Sequence, residues 1–193
     1  MNTYFSADWH LDHTNIIKYD GRPFKTIEQM NKTILDNICT TIEKGDNLYF
    51  IGDFAFSKSI QRIEELMREL TDRTHANFYF IKGNHDKKDT IKMYQKYGVC
   101  LGEQKKIRVQ DLSHPDSNQE IVLNHYRMEV WDKSHHGCWH LHGHSHHSLP
   151  ERPTARCMDV GINGSWYNYN VVSYQQVKEH MLKKTFVPID HHK

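Results

Sequence analysis

Three short runs rich in aromatic and aliphatic residues, 3–7, 47–51 and 77–81, predict β-strands in the first half of the chain. Between them the apolar positions recur at helical spacing. Ile27, Met30, Ile34 and Ile38 predict a helix over 27–43, and Ile60, Ile63, Met67 and Leu70 mark a second. Thr26, with Gln29 three residues on, resembles a capping box, and Gly45 suits the far end. A short helix is expected over 89–97. The pattern then changes. Residues 105–110 and 120–124 read as strands around the turn-rich stretch 111–118, which predicts an antiparallel hairpin. Further strands are expected near 139–142 and 156–160, and a last helix near 173–184 with Ser173 as its cap.

Three strand–helix units in succession predict a parallel α/β core, and the later strands a second sheet or an extension of the first. In such sheets ligands gather beyond the carboxyl ends of the strands. Asp8, Asp53, Asn84, His125 and His144 each stand at the end of an expected strand. Metal-type ligands on five separate strand ends are the central feature of the chain.

Composition narrows the class. A chain of 193 residues is expected to form one domain, 1–193, with no repeats or linker. A formal net charge of +1 gives no overall field toward nucleic acid or membrane. No apolar run reaches membrane-spanning length, and no signal-peptide pattern opens the chain, so a cytoplasmic location is expected. Cys39, Cys100, Cys138 and Cys157 form no CxxC pair and read as reduced thiols. Histidine is the anomaly. There are 16, and seven crowd into His135 to His147. Imidazole is the commonest metal ligand and the usual acid–base side chain.

Singly, each of these residues has a plainer reading. An Asp after a strand is usually a turn or cap residue, and an Asn after Gly usually a turn. Their joint order changes this. Asp8-Trp9-His10, Gly52-Asp53, Gly83-Asn84-His85-Asp86, Asn124-His125 and Gly143-His144-Ser145-His146 resemble the five ordered motifs of the calcineurin-like metallophosphoesterases. The match spans residues 8 to 146, about three quarters of the chain. The resemblance is to the small, capless bacterial and phage type, and it implies a β-sandwich core flanked by helices in α/β/β/α layers.

The resemblance also implies roles. Asp8, His10 and His146 would hold one divalent cation and Asn84, His125 and His144 a second, with Asp53 bridging both. Imidazole, carboxylate and amide-oxygen donors suit Mn, the ion favoured here, with Fe, Zn or Ni as alternatives. His85 would face the leaving group as general acid, and Asp86 would hydrogen-bond its far nitrogen and fix the tautomer. His13, Arg22 and Arg127 are candidate contacts for substrate phosphate. The run from Asp8 to Phe24 departs from the subgroup at Asp12, where Gly is usual. Of the two HxH registers in His142 to His146, the Gly before the first ligand selects His144 and His146. His142 is then a supporting or packing residue. His135, His136, His140 and His147 read as rim or surface, and Trp131, Trp139 and Trp166 as core.

The expected activity is hydrolysis of a phosphomonoester or phosphodiester by a metal-bridging hydroxide, on a small nucleotide-like substrate. The short segments between motifs leave no room for a large cap domain. A nuclease acting on nucleic-acid ends is the alternative. The near-neutral charge counts against it, since backbone binding recruits Lys and Arg, and only the Lys87-Lys88 and Lys105-Lys106 pairs hint at such a surface. A silent binding scaffold would have no need of the full ligand set. A metal-storage protein would have no need of ordered strand ends.

Overall fold

A computed structural model describes residues 1–111, 118–164 and 167–189. Two mixed sheets lie at its centre. The first has the strand order β4-β3-β2-β1-β9. Its strands are β1 (Thr3–Ser6), β2 (Asn47–Phe50), β3 (Asn77–Phe80), β4 (Gly98–Cys100) and β9 (Val172–Ser173). β1 to β4 run parallel, and β9 pairs antiparallel with β1. The second sheet has the order β5-β6-β7-β8, from β5 (Gln104–Gln110), β6 (Asn118–Asn124), β7 (Trp139–His142) and β8 (Cys157–Asp159). Here β5 and β6 form the expected antiparallel pair, while β7 and β8 continue in parallel. Residues 112–117 of the expected turn, and Trp166, lie outside the described residues.

Side-chain alternation along the first sheet sorts its residues into two cores. Leu48, Phe50, Phe78 and Phe80 face α2 (Ile27–Thr41), α3 (Ile60–Thr74) and α4 (Lys88–Tyr97). Phe5, Ala7, Ile51 and Ile81 face the second sheet, where Ile121, Leu123, Trp139, Leu141 and Met158 meet them. α5 (Tyr174–Leu182) adds Val177 and Met181 to that inner core. The α/β sandwich expected from the sequence is therefore present. The outer face of the second sheet is covered by Trp131, Cys138 and Ala155 rather than by a long amphipathic helix.

The helix signals hold, with local differences. Ser173 and Gln176 form a complete capping box on α5. At α2 only half of the box forms. Thr26 accepts from the Gln29 N–H, but the Gln29 side chain takes the Lys25 N–H instead of that of Thr26. A short helix α1 (Thr14–Tyr19) and the strands β4 and β9 have too few residues to show a period. Among the described residues no helix is long and apolar enough to cross a membrane.

His140 corrects one expectation. The sequence places it at the rim or surface, yet it is fully buried on the outer face of β7. Its Nδ1–H donates to Val122 O at 3.1 Å, and its Nε2 accepts the Met128 N–H at 3.1 Å. Both nitrogens of the neutral ring are thus used, and a proton on Nε2 would confront that N–H. Burial and the neighbouring His142 push the pKa down from 6.5 to about 3. The unfolded chain therefore binds a proton that the folded chain refuses. Stability present above the unfolded pKa is lost as pH falls toward the folded one. At about pH 5 the expected loss from this ring is about 2 kcal/mol. Urea midpoints of wild type and His140→Gln at neutral and acid pH check this, since only the wild type should carry that share of the acid slope.

Candidate metal centre

The carboxyl ends of β1, β2, β3, β6 and β7 converge on one edge of the sandwich. Parallel pairing forces this, because β1, β2 and β3 run side by side in one register and β6 and β7 do so in the other sheet. A bridge between Ala7 and Gly161, with the Ala7 N–H on Val160 O at 3.1 Å, ties the two sheets together at that edge.

The loops leaving the strands lock each other. The Asp8 N–H donates to Gly52 O and the His10 N–H to Asp53 O, both at 3.0 Å. The Gly143 N–H reaches His125 O at 3.0 Å, and the His144 N–H reaches Asp8 Oδ2 at 2.9 Å. Glycine precedes three of the expected ligands for a steric reason. A Cβ at Gly83 would lie 2.2 Å from Asp53 Oδ1, and one at Gly143 would lie 2.7 Å from Asp8 Oδ2.

Five expected ligands adopt the left-handed region: Asp8 (φ 58°), His10 (φ 50°), Asp53 (φ 64°), His144 (φ 65°) and His146 (φ 47°). Asp and His tolerate this better than most side chains, but it costs roughly 1–2 kcal/mol per residue. Such outliers gather where the surrounding structure holds a working geometry. Asp12 is also left-handed, at φ 60°. A Gly would adopt that angle freely. Here Asp12 is held by a reciprocal pair with Asn31 at 2.5 and 3.1 Å and by Arg62 Nε at 2.9 Å.

Two adjacent groups of donor atoms result. In the first, His10 Nε2 and His146 Nε2 face one another at 3.1 Å, with Asp8 Oδ1 3.8 Å from His146 Nε2 and Asp53 Oδ2 3.7 Å from His10 Nε2. In the second, Asn84 Oδ1 lies 2.9 Å from both His125 Nε2 and His144 Nδ1, and Asp53 Oδ2 lies 3.3 Å from His125 Nε2. Asp53 is common to both. At metal–ligand distances near 2.1 Å, neighbouring donors stand roughly 3.0–3.4 Å apart, so the spacings of 2.9–3.3 Å are close to the edges of a coordination shell, while those of 3.7 and 3.8 Å are longer. Among the described residues, Asp8, His10 and His146 form one group that could hold a metal ion, and Asp8, Asp53 and His125 another. The buried Nδ1 of His10 has no hydrogen-bond partner, so that ring is oriented by packing and by the contacts of its Nε2.

Burial and mutual contact set the charge of these groups. Burial raises the Asp8 carboxyl to about 7, against the pull of His146 and His125. Burial lowers His10 to about 3, which keeps its ring neutral. Burial also opposes charge on His125, but the hydrogen bond to Asp53 and the charges of Asp8 and Asp53 lift it to about 9. The His125 Nδ1–H donates to Ile51 O at 2.7 Å, which turns Nε2 toward Asn84 and Asp53. Asp8, His10, Asp53 and His125 are buried, while Asn84, His85 and His144 are exposed at the mouth.

Three expectations about the surroundings change. Asp86 does not reach the His85 ring. Its Oδ2 accepts the N–H groups of Asp53 and Gly83 at 3.1 and 2.8 Å, and its Oδ1 accepts the Tyr94 hydroxyl at 2.7 Å. It braces the loops of Asp53 and Asn84 together. Arg22 is not at the mouth but 3% exposed. Its guanidinium donates to Asp8 O and Trp9 O, both at 2.9 Å, to the Met30 sulfur and to Asp20. These four hydrogen bonds and the Nη2–Asp20 ion pair at 3.1 Å occupy the guanidinium, and Arg22 supports the Asp8 loop from beneath. Arg127 donates to Pro150 O at 2.8 Å and lines a side cavity of about 200 Å³ with His142, His147 and Asp159. It flanks the His144–His146 loop rather than joining the ligand atoms. His13 does stand at the mouth, its ring centroid 5.7 Å from that of His10.

Sequence reasoning missed Asp20. The His146 Nδ1–H donates to Asp20 Oδ2 at 2.6 Å, and Arg22 holds the same oxygen at 3.1 Å. Burial works against the Asp20 charge, but His146 and Arg22 keep its carboxyl below the usual range. A carboxylate behind a ligating imidazole fixes its tautomer and orientation. The only sequence signal was the place of Asp20 in the run from Asp8 to Phe24.

No family model matches the chain. Among solved structures, the protein of unknown function AQ665 from Aquifex aeolicus superposes with a TM-score of 0.66, over 93% of this chain and 98% of its own, at 19% identity, which shows a shared fold. The Pseudomonas putida nuclease MPE reaches a TM-score of 0.38 at 15% identity, over 75% of this chain and 61% of its own. In sequence, the chain is 31% identical over 185 residues to the uncharacterized protein MJ1445 of Methanocaldococcus jannaschii, covering 94% of this chain and 89% of that protein. By that identity and coverage, this chain belongs to the MJ1445 family.

Proposed function

We propose that the protein is a metal-dependent phosphoesterase with two divalent cations, Mn favoured, that hydrolyses a small nucleotide-like phosphate ester. One observation carries this reading. Seven side chains from five strand ends form two adjacent sets of nitrogen and oxygen donors that share Asp53. Asp8, His10, His146 and Asp53 would hold one ion, and Asp53, Asn84, His125 and His144 the other. When bound, such a pair supplies positive charge to the phosphoryl oxygens and lowers the pKa of water to near neutrality.

The chain's own residues do the rest. Asp53 would supply the negative charge that offsets repulsion between two dications. It is itself fixed, because its Oδ1 accepts the His85 N–H at 2.9 Å. That bond carries the exposed His85 ring to within 5.5 Å of the His10 ring, centroid to centroid. From there His85 can donate a proton to the departing oxygen or stabilise charge on the phosphoryl group. Asp20 and Arg22 hold His146 in register, and Asp86 ties the Asp53 loop to the Asn84 loop.

The test is release of p-nitrophenol from bis-p-nitrophenyl phosphate and p-nitrophenyl phosphate, by the metal-stripped protein with and without added Mn²⁺. Metal-dependent release is expected. No release from either ester, with two ions bound, would count against the reading. His85→Ala is expected to keep its metal while kcat falls about 10²–10⁴-fold, the usual range for a positioned acid. Normal metal content with a normal rate would remove His85 from the chemistry.

A further inference from the structure

Exposed aromatic side chains are distributed unevenly over this protein. Among the described residues, the exposed large hydrophobics include three aromatics, Phe56 at 48%, Tyr19 at 71% and Tyr126 at 50%. Tyr126 meets His125 and His144 of the donor set, and Phe56 and Tyr19 meet the mouth residues His85 and His13. Single exposed apolar residues are ordinary on a protein surface. Exposed rings confined to one mouth are not.

They also stand at two ends of the ligand row. Phe56 stacks on His13, with centroids 4.3 Å apart and planes 23° apart, and meets His85 edge-on at 5.2 Å. Tyr19 meets the other side of His13 at 6.2 Å. His13 and His85, which these rings meet, stand in turn 5.7 and 5.5 Å from the His10 ring. At the other end Tyr126 lies 4.5 Å from the His144 ring and 5.4 Å from His125. Both positions are built rather than loose. The Phe56 N–H donates to Leu11 O at 2.8 Å beside the Leu11–Ala55 bridge, and the Tyr126 N–H donates to Asn124 Oδ1 at 2.8 Å.

We propose that Phe56 and Tyr126 are the specificity-determining residues of the site, each receiving one flat base of a phosphodiester whose phosphorus lies between them. The inference rests on the phosphoesterase reading and narrows it to a diester with a planar ring on each side, the linkage of a dinucleotide. Every base presents a π-face, so an aromatic platform accepts bases with little regard to sequence. The phosphate needs no basic groove when metal ions receive it, which agrees with the formal net charge of +1. Phe56 lies beside His85 and so takes the ring on the leaving side. Tyr126 takes the ring on the retained side.

The experiment has a binding arm and a kinetic arm. In the first, isothermal titration of the protein as purified compares the slowly hydrolysed phosphorothioate of thymidylyl-thymidine with diethyl phosphate. The dinucleotide should bind at least about tenfold more tightly, and Phe56→Ala and Tyr126→Ala should each lose about tenfold, the effect of one stacked base. Phe56→Tyr and Tyr126→Phe should keep wild-type affinity. In the second arm, Phe56→Ala should raise KM for both bis-p-nitrophenyl phosphate and methyl p-nitrophenyl phosphate. Tyr126→Ala should raise it for the first only, with kcat little changed in either variant. Melting temperatures of the variants show that they are folded. Equal wild-type affinity for the two ligands, or alanine variants indistinguishable from wild type, would overturn the proposal even if hydrolysis is robust. Base-dependent binding without any metal-dependent hydrolysis would sustain the subsites while the phosphoesterase reading failed.

Discussion

Asp53→Asn is expected to cost at least about 10³-fold in metal-dependent turnover. The substitution keeps the shape and one carbonyl oxygen but removes the negative charge that both donor groups share. Asp53 Oδ2 stands 3.7 Å from His10 Nε2 and 3.3 Å from His125 Nε2, whereas the neighbouring carboxylate of Asp8 lies 3.8 Å from His146 and 4.0 Å from His125. Metal analysis of the variant should show fewer than two ions per chain. An independent readout needs no metal at all. Asp53 is one of the groups that lift His125 to about 9 against the effect of burial. In the metal-stripped variant, NMR titration should find the His125 imidazole well below that value. A variant with full turnover and two ions would remove Asp53 as the bridge.

Adding Mn²⁺ to the metal-stripped protein is expected to raise its melting temperature by about 8–16 °C. At an ion concentration about a thousandfold above Kd, binding contributes about 4 kcal/mol, and each kcal/mol moves a domain of this size by roughly 2–4 °C. The structure supplies the reason that the metal-free state is strained. Five expected ligands sit in the left-handed region, and the ring nitrogens of His10 and His146 face one another at 3.1 Å. Asp8 is fully buried, and its carboxyl is raised to about 7 by that burial. A cation relieves this electrostatic cost, whereas the unfolded chain never bears it. Differential scanning calorimetry with and without Mn²⁺ checks the shift. No shift in wild type would count against these residues as a metal site, and a full shift in Asp53→Asn would count against a shared ligand.

The order of elements and the strand-end positions of Asp8, Asp53, Asn84, His125 and His144 were determined by the sequence itself. Strand and helix periods, caps and turns act over a few residues, and a parallel α/β sheet places its strand ends together whatever the details. Other features joined residues far apart, and only the tertiary structure decided them. Asp20 reaches His146 across 126 positions, and no local period marks such a pair. Arg22 was legible as a cation near the motif, but its burial depends on carbonyls that face inward only once the Asp8 loop is folded. Asp86 follows His85 in sequence and was assigned to it. The fold turns its carboxylate to the Asp53 and Gly83 N–H groups and the Tyr94 hydroxyl. His140 lay within a histidine-rich run that read as surface, and the outer face of the second sheet buried it instead. Local chemistry chose which side chains stand at the strand ends. Packing between the two sheets chose which of their neighbours turn inward, because a buried polar group without a partner is costly.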